Sequence, residues 1–308
     1  MNEPQQLLGE LKQTRQRFLE LVSEIRPDLH RYCARMVGSI TEGEDVVQEA
    51  LARAYYQLSE LQELPALRSW LFRIAHNQAI DAVRKRQRQQ SEPIESIEDS
   101  AMDEAEAAEA IIAREHALGL AMSRFLELSA LQRSCVILKD VLDHSLEDIA
   151  VLLDTNINAV KAALHRGRAR TRALAAHPAP SRLGVIPEVL QQYVDLFNAR
   201  DWDGVRALLV DDVKLDLVSM YRRSGRTDVG TYFSNYERIS GWHLRVGWLQ
   251  AQPILAVVSS EIDADPKYLI DLQLRDDGIT HIRDFRYVPY IAHEADLRFA
   301  NGERQIRR

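Results

Sequence analysis

The sequence predicts a multidomain protein, with two all-α domains, the second a helix-turn-helix, followed by an α+β domain. Three observations carry that reading. Apolar residues recur at helical spacing through roughly the first 175 residues. Runs with strand alternation are confined to the C-terminal third. Two stretches poor in large apolar side chains separate the parts, and 308 residues are long for a single core.

In TEGEDVVQEALARAYYQL the apolar positions Val46, Val47, Ala50, Leu51, Ala54, Tyr55 and Leu58 repeat at helical spacing and define one buried face. Thr41 and Glu44 read as a capping box that opens this helix. A second long helix runs from about residue 66 to 87, with Leu67, Trp70, Leu71, Ile74, Ile80 and Val83 inward. Between Ser91 and Glu109 stand eight carboxylates, no base and few large apolar groups, the composition of a linker. Helical patterning then resumes. Ser145 and Asp148 form a second capping box before SLEDIAVLL, Asp154-Thr155-Asn156 makes a turn, and Asn156 caps a helix from Ile157 to about Leu174. Two helices joined by so short a turn form a helix-turn-helix candidate.

HPAPSRLGVIP, with three prolines and a glycine, reads as another linker. Helical patterns over 187–199 and 202–209 follow. The β-like runs KLDLVSM, WHLRVGWL, ILAVVSS, KYLIDLQLR and THIRDFRYV then appear, and Tyr268, Ile270, Leu272 and Leu274 alternate with Leu269, Asp271, Gln273 and Arg275 at strand period. Helices first and strands after predict a separate α+β domain. The domain bounds are 1–90, a linker 91–110, 111–175, a linker 176–185, 186–292 and a tail 293–308.

Apolar content of 46% and charged content of 28% are those of a globular protein, and no stretch nears the roughly 20 apolar residues of a membrane span. The N-terminus lacks the apolar core of a signal peptide, and Cys33 and Cys135 have neither disulfide nor zinc spacing, so a cytoplasmic protein without a metal is expected. The net charge of −7 is blocked along the chain. Arg84, Lys85, Arg86 and Arg88 form one basic run; Lys161, Arg166, Arg168, Arg170, Arg172 and Arg182 lie in a stretch free of acids. Each patch suits phosphate, although basic helix ends on an ordinary solvated face are equally compatible with the charge pattern.

On the second long helix Arg73, Asn77, Arg84 and Arg88 share a stripe opposite Trp70, Leu71 and Ile74. Arginine can hold a phosphate and asparagine can pair with a base edge, whereas Asp81 beside them repels phosphate. RSWLFRIAHNQAIDAVRKRQRQ resembles the part of extracytoplasmic-function (ECF) RNA polymerase sigma factors, of the sigma-70 family, that melts and reads the −10 promoter element. GEDVVQEALARAYYQL just upstream resembles their helix that grips core RNA polymerase. LSALQRSCVILKDVLDHSLEDIAVLLDTNINAVKAALHRGRARTRAL resembles their region that reads the −35 element. The resemblance covers roughly residues 18–175 and implies −10 contacts from Arg73, Asn77, Arg84, Lys85 and Arg86. It implies −35 contacts from Asn158, Lys161, His165, Arg166 and Arg168, and core polymerase contacts from Asp45, Gln48 and Glu49. In two places the chain departs from the family. Asp154 stands where a glycine is usual, and Ala162-Ala163 stand where many members have a polar or basic pair, leaving an alanine methyl to meet thymine.

YVDLFNARDWDGVRALLVDDVKLDL resembles the opening of the cone-shaped α+β family typified by ketosteroid isomerase and polyketide cyclases (SnoaL-like, NTF2-like), which some sigma factors carry as a built-in regulator. The resemblance implies a cone over 186–292 around an apolar cavity, with Trp242, Trp248, Phe285 and Tyr287 as candidate lining. Strand position alone makes Asp216, Asp271 and His243 candidates for chemistry, and none matches a catalytic motif. The expectation is therefore a non-enzymatic sigma factor that binds core RNA polymerase and promoter DNA, with the cone acting in cis, no cofactor and no membrane partner. A small ligand in the cone stays open as a further partner. The alternatives are a plain helix-turn-helix regulator, which leaves Trp70–Arg86 without a role, and a cone-fold enzyme with an accessory N-terminal half.

Overall fold

A computed structural model describes residues 16–58, 67–90, 120–176, 184–237, 241–260 and 265–299, with a few isolated positions between them. The acidic stretch at 91–110 and most of the 176–185 linker lie outside the described residues. The chain divides into two compact units, Met1–Ala179 and Pro180–Arg308.

The first unit is helical. Helix α1 (residues 16–23) leads into α2 (Arg26–Val37), α3 (Ile40–Tyr56) and α4 (Leu67–Gln90). The N-cap of α3 is Ser39, whose hydroxyl accepts from the Glu42 amide, and not Thr41 as expected. Glu44, the other half of the expected capping box, is instead buried and paired with Arg26 at 2.5 Å. Gly43 sets the α2–α3 crossing: a Cβ there would lie 2.5 Å from the Ala34 Cα. After a 3₁₀ turn (Met122–Glu127) come α5 (Ala130–Val136), a π turn (Ile137–Val141), α6 (Leu146–Leu152) and α7 (Ile157–Ala176). Ser145 and Asn156 cap α6 and α7 as their spacing predicts, each accepting from an amide three residues on. Asp154 takes the left-handed conformation, φ 50°, that the turn requires.

The two halves of this unit share one hydrophobic core. Tyr32, Phe72 and Ala75 pack in the same cluster as Phe125, Cys135, Leu138, Ile149 and Val160. Arg133, 5% exposed, donates to the carbonyl oxygens of Met36 (2.5 Å), Leu128 (3.0 Å) and Leu126 (3.3 Å), and so ties α5 to the end of α2. Ser134 donates its proton to the Ala130 carbonyl, so the Tyr32 hydroxyl donates to Ser134 (3.2 Å) and accepts from His76 Nδ1 (2.7 Å). Phe72 meets His144 edge to face at 5.1 Å.

The second unit is α+β. Helices α8 (Glu188–Asn198) and α9 (Trp202–Ala207) precede β1 (Leu209–Leu217) and β2 (Tyr221–Ser224). Short helices α10 (Arg226–Gly230) and α11 (Ser234–Glu237) follow. Then come β3 (His243–Leu249), β4 (Gln252–Val258), β5 (Tyr268–Arg275), β6 (Gly278–Asp284), α12 (Tyr290–Glu294) and β7 (Leu297–Phe299). The sheet order is β2-β1-β6-β5-β4-β3-β7, parallel only between β1 and β6. Residues 297–299, expected in a tail, pair with β3, because Leu297 and Phe299 are buried on the sheet edge. Three residues are too few to display a strand period. Leu215, Leu217, Val246, Leu255, Ile270 and Ile282 form the face that packs with Leu190, Tyr193, Phe197 and Phe233 of the helical segments. The result is a cone, a curved sheet closed on one face by helices.

Candidate nucleic-acid interface

Helix α4 buries Trp70, Leu71, Phe72, Ile74 and Ala75, and that packing turns the opposite stripe outward. Arg73, Asn77, Asp81, Arg84 and Lys85 are all exposed on it, at the i, i+3 and i, i+4 spacings of a single face. Arg73, Asn77, Trp70 and Ile74 border, with Arg53 and Gln57 of the α3 end, a depression of about 150 Å³. Arg86 does not belong with these residues. Its guanidinium donates to the Val37 carbonyl (3.0 Å) and pairs with Glu42 (3.1 Å), joining the ends of α2 and α3. Asn77 and Arg84 also open onto a larger cleft of about 1330 Å³, whose other walls include Ser129, Gln132, Arg133, Arg166 and Arg170.

On α7, Asn158, Lys161 and His165 are exposed and fall on successive turns, so one duplex groove can meet all three. Arg166 is half-buried. Arg168 is held in a two-pronged pair with the buried Asp140, its Nε 3.1 Å from Oδ2 and its terminal nitrogen 2.6 Å from Oδ1. That pair seats α7 on the π turn and leaves the guanidinium aimed inward. Gly167 instead faces α5, where a Cβ would come within 2.6 Å of a Val136 methyl. Ala163 is fully buried and cannot reach a thymine methyl; Ala162 is half-exposed.

On α3, Asp45 and Glu49 are exposed one turn apart. Gln48 donates to Glu44 (2.7 Å), the buried carboxylate that Arg26 neutralises, so Gln48 also stiffens the base of this acidic face. In the second unit Asp216 and Asp271 lie on the sheet face opposite the helices, each in register with Arg283, and Asp216 pairs with Arg222 at 3.2 Å. Burial raises the Asp271 pKa, against the opposing pull of Arg283. His243 starts β3, with its Nδ1 buried and unpartnered. The structure does not bring these three together at one site. Of the four aromatic candidates, Trp248 and Phe285 are buried, Trp242 is half-buried and Tyr287 is 47% exposed.

Residues 21–89 match sigma-70 region 2 and residues 119–171 match sigma-70 region 4, so α4 and α7 each fall in a named module. The chain is 28% identical over 162 residues to the ECF RNA polymerase sigma factor SigW of Bacillus subtilis, covering 50% of this chain and 87% of SigW. It is 30% identical over 156 residues to the RNA polymerase sigma-E factor of Streptomyces coelicolor, covering 50% of this chain and 84% of that protein. Among solved structures, that of the extracytoplasmic-function sigma factor SigJ of Mycobacterium tuberculosis covers 85% of this chain and 95% of its own, with 19% identity and a TM-score of 0.34. The chain belongs to the ECF RNA polymerase sigma factors of the sigma-70 family.

Proposed function

We propose that this sigma factor binds core RNA polymerase through the acidic face of α3, reads the −10 element with α4 and the −35 element with α7. The cone domain regulates it in cis. The observation that carries the reading is the pair of exposed stripes, Arg73/Asn77/Arg84/Lys85 and Asn158/Lys161/His165, on two helices of one chain. The depression beside Asn77 suits a base unstacked from the melted promoter, with Arg73 at its rim for the phosphate. Arg86 and Arg168 act as internal ties. Asp45 and Glu49 take the polymerase contact, with Gln48 holding the face in shape. The protein works without a catalytic step or cofactor of its own and in the cytoplasm. Among the described residues no helix is long and apolar enough to cross a membrane.

The packed form of the first unit does not fit a promoter directly. The two elements are 25 base pairs apart by their own names, about 85 Å at 3.4 Å per pair. A compact unit of 179 residues has a radius of gyration of only about 16 Å. Reading both elements at once therefore requires α5–α7 to leave α2 and α4, breaking the Tyr32–Ser134 and Arg133–Met36 links. Binding to polymerase supplies the differential contacts that shift this equilibrium, and the cone biases it. Run-off transcription with purified core polymerase tests the whole reading. Initiation at a defined start that is lost on Asp45→Lys plus Glu49→Lys supports it; duplex binding with no polymerase-dependent start refutes it.

A further inference from the structure

Helix α3 ends on two adjacent tyrosines with opposite surroundings. Tyr55 is half-buried, packs against the core of the first unit and meets Phe18 edge to face at 5.6 Å. Tyr56, one residue on, is 84% exposed, and among the described residues the next most exposed aromatic, Tyr287, stands at 47%. Its one ring contact among them is with Tyr55, edge on at 6.1 Å. Removing so loosely held a ring leaves the core intact, so packing within the chain does not account for it.

A single exposed apolar side chain is ordinary; the place of this one is informative. Asp45, Glu49, Ala52 and Tyr56 follow one another at i, i+4, i+7 and i+11, one helical stripe, and all four are exposed. Val46, Val47, Ala50, Leu51 and Ala54 fill the opposite face and are buried. The stripe runs about 16 Å along the axis, at roughly 1.5 Å per residue. Its N-terminal half is acidic, its C-terminal half is aromatic, and the small Ala52 lies between. Arg53 and Gln57 turn instead to the depression beside Asn77, which Tyr56 does not border. The ring therefore shares the side of α3 whose carboxylates repel a phosphate backbone and suit a protein partner.

We propose that Tyr56 is the aromatic anchor of the core polymerase contact, seated in an apolar pocket of the polymerase while cations of the same polymerase surface meet Asp45 and Glu49. Ala52 between them leaves room for a close approach. The two halves have different tasks. Charges steer the encounter and are screened by salt, whereas a ring withdrawn from water slows dissociation and is not screened. Unlike ends also fix the direction in which the partner lies along α3. The proposal rests on the reading of α3 as the polymerase face and adds the residue that holds the complex together once formed.

The test measures binding kinetics of the full chain on immobilised core polymerase without DNA, at low and at high salt, with promoter opening read alongside. Tyr56→Ala should weaken binding about tenfold or more, mainly through faster dissociation and to the same degree at both salt concentrations. Its melting temperature should be unchanged. Tyr56→Phe keeps the ring and should bind as the unmodified chain does. Asp45→Asn plus Glu49→Gln should instead slow association and flatten the salt dependence. Full affinity of Tyr56→Ala alone would overturn the anchor and leave the reading of α3 standing; full affinity of both variants would remove that reading as well. A fall in melting temperature that matches the lost affinity would make Tyr56 structural. Full core affinity with loss of promoter opening would assign the ring to melted DNA, and either result overturns the proposal.

Discussion

Asn77 and Arg84 stand two turns apart on one face of α4 and are fitted to different tasks. An amide pairs with one base edge, while a guanidinium holds any phosphate. Asn77→Ala should change which −10 base is preferred, at about 1–3 kcal/mol of discrimination. Arg84→Ala should weaken all sequences alike and reduce the salt slope by about 1. A binding titration over a set of −10 variants at two salt concentrations separates the outcomes, and an unchanged base preference for Asn77→Ala would remove it from the interface. Lys161 and Arg168 make a second contrast on α7. Lys161→Ala should lower transcription from −35-dependent promoters while leaving stability alone. Arg168→Ala strands the buried Asp140 and should cost about 3 kcal/mol in chemical denaturation. The sequence could not separate these arginines, because the acids that claim Arg86 and Arg168 are 44 and 28 residues away along the chain. The stripe on α4 was legible because its members are neighbours at i, i+4. The buried Asp284 of the cone was not, since Tyr232 and Tyr236 bond it, and Tyr268 joins them, only once β5, β6 and the short helices have assembled.

At the scale of elements, helix caps, turns and strand runs follow local rules and were largely legible. Ser145, Asn156 and Asp154 do what their spacing predicts. The strand β2 was missed because its four residues are all exposed and show no alternation. The β3–β4 turn carries Gln250 and Ala251 at φ 53° and 66°, with none of the Asn-Gly signal that marks such hairpins. The packing of α5 on α2 and α4 has no sequence signature either, since each half is amphipathic in its own right. This packing should be pH-sensitive. Burial holds His76 below its ordinary pKa beside Tyr32 and Ser134. Burial also lowers His144 beside Phe72, with Arg68 and Lys139 adding to the effect and Asp148 and Asp28 opposing it. Both histidines take up protons more readily when released, so the packed form is at full strength above about pH 6.5 and weakens as pH falls below it. Fluorophores on cysteines replacing the exposed Lys85 and Ala169 should report falling energy transfer from pH 7 toward pH 5.5. The native thiols are spared because both are buried, Cys135 with its pKa pushed up to about 12. Transfer that stays flat across that range would contradict a histidine contribution.

For the whole molecule, the proposed function has a sigma factor packed upon itself unpack to span a promoter, with the cone domain of the same chain setting how readily it does so. Truncation after Leu183 should therefore change transcription severalfold in vitro, without abolishing core polymerase binding. Loss of activity would mean that the cone holds the open form, and gain would mean that it restrains opening. Unchanged transcription over a range of promoter and polymerase concentrations would remove the cone from control. The central claim is tested most directly by initiation on a promoter library randomised at the −10 and −35 positions, with purified chain and core polymerase and start sites read by sequencing. The account predicts starts that require both proteins and share a −10 preference altered by Asn77→Ala and a −35 preference altered by Lys161→Ala. Starts independent of the chain, or sequence preferences indifferent to both substitutions, would contradict it.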